Sequence, residues 1–184
     1  MPASRPPVPP DAAPLRGPAS ARKSAFLRFL VLFPVLAFAF SLLVRLDTLL
    51  LDEALGRSFV RGVTRVVGAA MRVAGAPVAR QENTLYYGSG QFQVVTACTG
   101  IDLIALFVAA VVSFPRSWRQ RTRILVVGVS VLAALNVIRI MSLVYVGTRW
   151  PEALEFGHLY VWPTLLLVAS LGLWLRWVLP PSRD

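Results

Sequence analysis

Four long apolar runs divide the chain. They cover residues 26–44, 98–114, 124–147 and 159–179. The length of each falls within the range of about 17–25 residues that a helix needs to cross a bilayer. Polar residues are rare inside these runs, and the third run is interrupted by Asn136 and Arg139. The pattern predicts an all-α integral membrane protein with about four transmembrane helices.

The longest segment between two runs, residues 45–97, has a helical pattern of its own. Its arginines recur on one helical face, at Arg57, Arg61, Arg65 and Arg72. Valines occupy the opposite face, which is typical of an amphipathic helix lying at a membrane surface. A short fifth span is the alternative, but the arginines inside it argue against that interpretation.

A small β-hairpin is predicted after this helix. Gly75 and Pro77 end the helical pattern, and residues 84–87 and 91–95 then flank Gly88-Ser89-Gly90. Two short runs of strand-forming residues around a glycine-containing turn indicate an antiparallel pair. The segment is therefore predicted to combine an interfacial helix with a hairpin.

The two ends of the chain are polar. Residues 1–25 are rich in Pro, Ala, Arg and Ser, a composition that predicts a disordered basic tail. Residues 180–184 form a C-terminal tail, which leaves 26–179 as a single transmembrane domain. The first run also resembles a secretion signal with Ala37-Phe38-Ala39 as its cleavage site. Because the run continues to Val44, an uncleaved anchor is favoured.

Composition narrows the class of protein. Of the 184 residues, 56% are hydrophobic and 15% are charged, whereas a soluble domain has about 25% charged residues. This balance excludes a disordered chain and an ordinary cytosolic globule, and the single cysteine, Cys98, excludes an internal disulfide. The net charge is +10, but the basic residues flank apolar runs. They therefore indicate lipid headgroups and membrane topology rather than nucleic acid.

The basic residues also predict the orientation. Lysine and arginine concentrate before the first run, at 116–123 and after the fourth run, and such clusters mark the cytoplasmic side. Both termini are therefore predicted to be cytoplasmic in a multi-pass plasma (inner) membrane protein. The segments 45–97 and 148–158 are predicted to lie outside. Tryptophan and tyrosine residues fall near both predicted interfaces, where amphipathic rings are enriched.

Three reactive side chains fall on the predicted outer side. Cys98 begins the second run, Arg139 lies in the third, and His158 precedes the fourth. A thiolate is a strong nucleophile, and a nearby cation favours it over the thiol. Arg139 keeps its charge and can stabilise a thiolate or an oxyanion. His158 can donate and accept a proton near neutral pH.

Neighbouring residues offer supporting roles and simpler interpretations. Gly100 permits close approach of a substrate backbone or another helix, and Asn136 can orient Arg139 or donate to a carbonyl. Asp102, four residues after Cys98, is a partner for Arg139 in an ion pair that would lock two spans together. Taken singly, a cysteine in a membrane helix is usually a small apolar residue, and a loop histidine is usually inert. Nothing in the sequence requires a metal or an organic cofactor.

Taken together, these residues resemble the exosortase/archaeosortase membrane transpeptidases. The similarity lies in Ala97-Cys98-Thr99-Gly100-Ile101, then Asn136-Val137-Ile138-Arg139-Ile140, then Gly157-His158. These match the family's Cys, Asn-x-x-Arg and His blocks in order, over about residues 97–162. Thr99 replaces the commoner serine, and Asp102 stands where a neutral residue is expected. Many members have about eight spans, whereas this chain has about four. It is therefore similar to the compact members of the exosortase H type.

The resemblance implies a role for each reactive residue. Cys98 is the implied nucleophile, Arg139 the stabiliser of the transition state or thiolate, and His158 the general acid and base. The implied substrates are exported proteins that end in a small motif, a membrane helix and a basic tail. We therefore expect a cofactor-free cysteine peptidase or transpeptidase (a hydrolase) at the extracytoplasmic face. Its expected partners are these sorting signals and membrane lipid.

Two other classes of protein fit the same residues. A thiol acyltransferase would carry a fatty acid on Cys98 rather than a peptide. A non-enzymatic subunit of an export or polysaccharide assembly system would need the spans without the thiol. A serine intramembrane protease would need a Gly-x-Ser-x-Gly-like sequence on a span, and an aspartyl one would need two intramembrane aspartates. The predicted spans contain neither of these patterns.

Overall fold

The computed structural model describes residues 18–50 and 54–178. Residues 1–17 and 179–184 lie outside the described residues, and with them most of both predicted tails. The predicted N-terminal tail overlaps the structure at 18–25, which form the first turns of a helix. The elements are α1 (Pro18–Leu50), α2 (Ala54–Val73), β1 (Val78–Gln81), β2 (Thr84–Tyr87), β3 (Gly90–Gln93), a 3₁₀ turn (Thr96–Cys98), α3 (Ile101–Ser113), α4 (Trp118–Arg149), α5 (Pro151–Phe156), a π-helical turn (Gly157–Val161) and α6 (Trp162–Val178).

The described helices confirm an all-α membrane fold. Three stretches are long and apolar enough to cross a membrane, and they are Phe26–Leu43, Trp118–Arg149 and Pro151–Val178. They correspond to the first, third and fourth predicted spans. The second predicted span is shorter than expected, since its regular part, α3, has 13 residues. That length is about 20 Å at ~1.5 Å per residue, against a hydrocarbon core of about 30 Å.

The short α3 has a local cause. Gly100 adopts a positive φ of 70° immediately before α3, and the 3₁₀ turn precedes it. A left-handed residue cannot continue a right-handed helix. The apolar run at 98–114 is therefore divided into a turn that holds Cys98 and a helix that begins at Ile101.

Helix α2 is amphipathic, as its arginine spacing predicts. The arginine face is exposed, whereas Val60, Thr64, Val67 and Met71 are buried. The buried face packs on the sheet and on the C-terminal half of α4, forming a core with Leu85, Val94, Ile140 and Val144. Among the described helices, α2 is not one of those long and apolar enough to cross a membrane, so the alternative of a fifth span has no support.

The hairpin is confirmed and has a third strand. Strands β2 and β3 pair antiparallel with Tyr87 opposite Gly90, and the turn between them is Gly88-Ser89. Strand β1 pairs with the other side of β2, giving the order β1-β2-β3. The sequence of β1, VARQ, has neither a β-branched run nor strict alternation, which is why the pattern did not predict it.

A second core joins the helices at the opposite end of the molecule. Phe107 and Val111 of α3, together with Ile124 and Leu132 of α4, are buried against the tryptophans of α6. Beyond this core, Arg116 donates to the carbonyl oxygens of Trp177 (3.4 Å) and Val178 (3.0 Å). The turn between α3 and α4 is thereby attached to the end of α6. This end carries the arginine cluster at 116–123, and α3 separates it from Cys98.

Candidate active site

Cys98 lies at the end of the 3₁₀ turn that connects the sheet to α3. Its thiol is free and half-buried. The turn is closed by backbone bonds from Cys98 to Val95 (2.8 Å) and from Thr99 to Thr96 (3.0 Å). The Thr99 hydroxyl also donates to the Thr96 carbonyl at 2.6 Å, and Thr99 is fully buried. The position of the thiol is therefore set by a short, closed turn rather than by a continuous helix.

Asn136 of α4 attaches this turn to the third predicted span. Its Nδ2 donates to the carbonyl oxygens of Cys98 (3.1 Å) and Thr99 (2.8 Å). Of the two roles predicted for Asn136, the structure shows donation to a carbonyl. Gly100 makes this contact sterically feasible, because a Cβ there would lie 3.0 Å from Asn136 Oδ1. The close approach predicted at Gly100 is thus made by α4.

Arg139 lies one helical turn beyond Asn136 and is buried, with 6% of its surface exposed. Its Nε is buried and has no hydrogen-bond partner among the described residues. Arg139 lines the same cavity as Cys98 and His158. A guanidinium that retains an unused donor beside a thiol is available to a further acceptor.

The alternative of an ion pair between Asp102 and Arg139 has no support among the described residues. Asp102 is exposed, and no ion pair joins it to Arg139. The prediction assumed one helix from Cys98 onwards, in which residues four apart share a face. The turn at Gly100 breaks that helix, and Asp102 instead lies in the first turn of α3. A carboxylate is stabilised there by the helix dipole.

His158 lies in the π-helical turn between α5 and α6 and is half-buried. Short π-helical segments distort an otherwise regular helix and occur frequently at functional sites. Helix α5 begins at Pro151, directly after α4 ends, so the chain reverses close to the C-terminal end of α4. This reversal returns His158 to the side of α4 that carries Arg139.

A single cavity contains all three predicted catalytic residues. Its volume is about 490 Å³, and Cys98, Arg139 and His158 all line it. They come from three elements, namely the 3₁₀ turn, α4 and the π-helical turn. A nucleophile, a fixed cation and a titratable base that line one cavity suit acyl transfer through a thioester.

The cavity also contains residues that the sequence analysis did not identify. Gln91, Phe92 and Gln93 of β3 line one side of it, and Glu155 of α5 lines another. Glu155 precedes His158 by three residues on a helix, a spacing that could have identified it. The glutamines carried no such signal, because their position depends on how the sheet packs against α4. Among residues 18–50 and 54–178, no cluster of three or more His, Cys, Asp or Glu could hold a metal ion.

One family of known proteins matches nearly the whole described part of the chain. The family model of transmembrane exosortases (Exosortase_EpsH) matches residues 17–177, which include all of the cavity residues. Neither the curated proteins nor the solved structures gave a match to this chain.

Proposed function

We propose that this chain, which belongs to the transmembrane exosortase family, is a membrane cysteine peptidase or transpeptidase that cleaves the C-terminal sorting signal of exported proteins. Family membership supports a transpeptidase-type role in general. The observation that carries the finer proposal is the presence of Cys98, Arg139 and His158 on the wall of one cavity. The three residues are far apart in the sequence and meet through tertiary packing.

The first step is formation of a thioester. The Cys98 thiolate attacks the scissile carbonyl carbon, and negative charge develops on the carbonyl oxygen. Arg139 stabilises this oxyanion, and its unpartnered Nε–H is a suitable donor. The carbon–nitrogen bond then breaks, and protonated His158 gives its proton to the departing amine. The products are an acylated Cys98, a neutral His158 and the released signal peptide.

The second step releases the product. Water, or an amine or hydroxyl of a surface acceptor, attacks the thioester carbonyl while neutral His158 removes its proton. Collapse of the second tetrahedral intermediate breaks the carbon–sulfur bond and returns the Cys98 thiolate. Attack by water gives hydrolysis, and attack by the acceptor gives transfer. Both reactions use the same residues, so the acceptor alone determines the product.

The orientation in the membrane is part of the proposal. The cavity lies at the end of α4 opposite the arginine cluster at 116–123. Arginine-rich turns are retained on the cytoplasmic side. We infer that the cavity opens at the extracytoplasmic face of the plasma membrane, where exported substrates are present.

A processing assay tests the reaction. The reporter is a tagged exported protein that ends in a motif, a membrane helix and a basic tail, co-expressed with the chain. Cys98→Ala, Arg139→Ala and His158→Ala are each expected to abolish shortening of the reporter while the protein still inserts. Arg123→Ala is the matched control for Arg139→Ala. Arg123 lies on α4 as well, but it is exposed and outside the cavity, so this variant is expected to process the reporter normally. Normal processing by Cys98→Ala would refute the assignment of Cys98 as the nucleophile.

Mass spectrometry of Cys98 separates the alternatives. The proposed enzyme is expected to carry a peptide adduct on Cys98 when its reaction with the reporter is stopped by acid before the thioester is resolved. A fatty acid at the same position would identify a thiol acyltransferase instead. A non-enzymatic subunit would carry neither adduct and would keep full function in Cys98→Ser.

A further inference from the structure

We propose that the sorting segment of the substrate binds as an extended strand on the free edge of β3 and is directed from there to Cys98. The proposal rests on the proposed function, since a peptide substrate is the occupant that a thioester-forming cavity requires. It adds the mode of recognition, which is main-chain pairing with Gln91 and Gln93. Four observations support it.

Strand β3 is an edge strand. The sheet order is β1-β2-β3, so one side of β3 pairs with β2 and the other side has no strand partner among the described residues. An unpaired edge presents a row of N–H and C=O groups that can template another strand. Several peptide-binding domains add an extended ligand to such an edge.

The hydrogen-bond pattern identifies the groups that point outward. The Val94 N–H donates to the Asn83 carbonyl at 2.8 Å, so these two residues form a hydrogen-bonded pair. Such pairs alternate along an antiparallel ladder, and Phe92 with Leu85 is therefore the next one. Gln91 and Gln93 consequently direct their N–H and C=O groups away from β2. No acceptor or donor for these groups is found in the described part of the chain.

The cavity follows this edge. It is lined by four consecutive residues, Gln91, Phe92, Gln93 and Val94. A cavity against one face of a strand would contact alternate residues only, because successive side chains point to opposite faces. Burial shows this alternation, with Gln91 and Gln93 exposed and Val94 buried. The cavity touches both sets, as an edge groove does.

The edge and the nucleophile share one space. At ~3.3 Å per residue, the lined stretch of β3 is about 10 Å long, which matches three or four residues of an added strand. The chain then continues from Val94 to Cys98, which lines the same cavity. The lining also includes the apolar side chains of Leu143, Leu154 and Leu159. An added strand would therefore pair its backbone with β3, place some of its side chains against these leucines, and present its next peptide bond to Cys98.

Proline substitution in β3 tests the pairing. Proline lacks an N–H but is tolerated on an edge where that group faces away from the sheet. At Gln91 and at Gln93, we compare Pro with Ala, since both remove the side chain and only Pro removes the N–H. Reporter processing is expected to be about tenfold slower with Pro than with Ala, the effect of losing one or two hydrogen bonds.

The opposite edge of the sheet provides the matched control. Ala79 and Gln81 lie opposite Tyr86 and Thr84, the β2 residues that face β1, so the Arg80 N–H points away from the sheet. Arg80→Pro and Arg80→Ala are expected to process the reporter at equal rates. An equal rate for Pro and Ala at both Gln91 and Gln93 would refute the strand proposal.

A proline scan of the reporter keeps the proposal testable if a β3 variant fails to fold. Successive residues of the sorting motif are changed to Pro and, separately, to Ala. Strand addition predicts that the Pro effect recurs at every second position, because only alternate amides pair with β3. Pro effects without this period would refute strand addition while leaving the Cys98-dependent reaction intact. Processing that persists in Cys98→Ala would instead refute the proposed function.

A second copy of the chain is the competing occupant of the edge. In the Cys98→Ser background, Gln91→Cys provides a single cysteine on β3. Strand addition by the substrate predicts no disulfide-linked dimer in oxidised membranes. Efficient dimer formation would show that the edge pairs with itself and would overturn the proposal.

Discussion

At the residue scale, the position of the thiol depends on hydrogen bonds from one amide side chain to the backbone of the Cys98 turn, and on a glycine that leaves room for them. Asn136 donates to the carbonyls of Cys98 and Thr99, and Gly100 adopts a left-handed conformation that lets Asn136 approach. A buried amide that satisfies two carbonyls restrains the turn more than apolar packing would, because hydrogen bonds have a preferred geometry. The Asn-x-x-Arg pair therefore has two separate tasks, with Asn136 positioning Cys98 and Arg139 facing the cavity.

Gly100→Ala tests this contact. The substitution places a Cβ 3.0 Å from the Asn136 side chain and strains a backbone with φ 70°. We expect the free energy of unfolding in detergent to fall by about 1–3 kcal/mol, and processing of the reporter to slow. The matched control is Gly62→Ala in α2, where no described atom lies within 4 Å of the new methyl. Alanine should stabilise that helix by about 0.5–1 kcal/mol. Equal thermal stability for the two variants would contradict the role given to Gly100.

At the scale of elements, the segment between α1 and α3 is a folded cap on the C-terminal end of α4. Its helix and sheet share one core with α4, in which Leu85 and Val67 are fully buried. The same sheet leads directly to the turn that holds Cys98. The cap therefore forms one wall of the cavity, whereas α4 and the α5–α6 reversal form the rest.

Leu85→Ala tests whether the cap positions the site. Removing this fully buried side chain leaves a cavity between α2, the sheet and α4, and large-to-small changes of this kind cost about 2–5 kcal/mol. We expect a lower midpoint of thermal unfolding and reduced processing, although no cavity-lining residue is changed. Tyr86→Ala is the neighbouring control, since Tyr86 is 37% exposed. A Leu85→Ala protein as stable as the Tyr86→Ala protein would argue against a packed cap.

At the scale of the whole molecule, charge and chemistry lie at opposite ends. The arginine cluster at 116–123 lies at the turn between α3 and α4, whereas the cavity is lined by Arg139, Val144 and other residues of the C-terminal half of α4. The positive-inside rule makes the cytoplasmic side the expected location of the cluster, and under the proposed orientation Cys98 then lies on the other side of the membrane.

Labelling of Cys98 tests the orientation. It is the chain's single cysteine and is half-buried, so a membrane-impermeant maleimide added to intact cells should react with it. The comparison is Ser117→Cys in the Cys98→Ser background, which places one thiol at an exposed position in the arginine-rich turn. That thiol is expected to react only after the membrane is permeabilised. The reverse pattern would invert the proposed topology.

Local features of the molecule were predictable because their signals are local. Apolar runs predicted the three long helices, arginine spacing predicted α2, and glycines between strand-forming residues predicted the hairpin. The length of α3 was not predictable in this way, since hydrophobicity does not distinguish a 3₁₀ turn from the first turn of a helix. The same assumption of one continuous helix from Cys98 underlay the alternative of an Asp102–Arg139 ion pair, which the described residues do not form.

The sequence by itself determined the membrane class, the amphipathic helix and the order of the cysteine, arginine and histidine blocks. These follow from hydrophobicity and spacing, which neighbouring residues define. The tertiary structure alone decided that Asn136 binds the carbonyls of the Cys98 turn and that the edge of β3 lines the same cavity as His158. Such contacts join residues distant in the chain, and they depend on how the cap packs against α4, which no local pattern encodes.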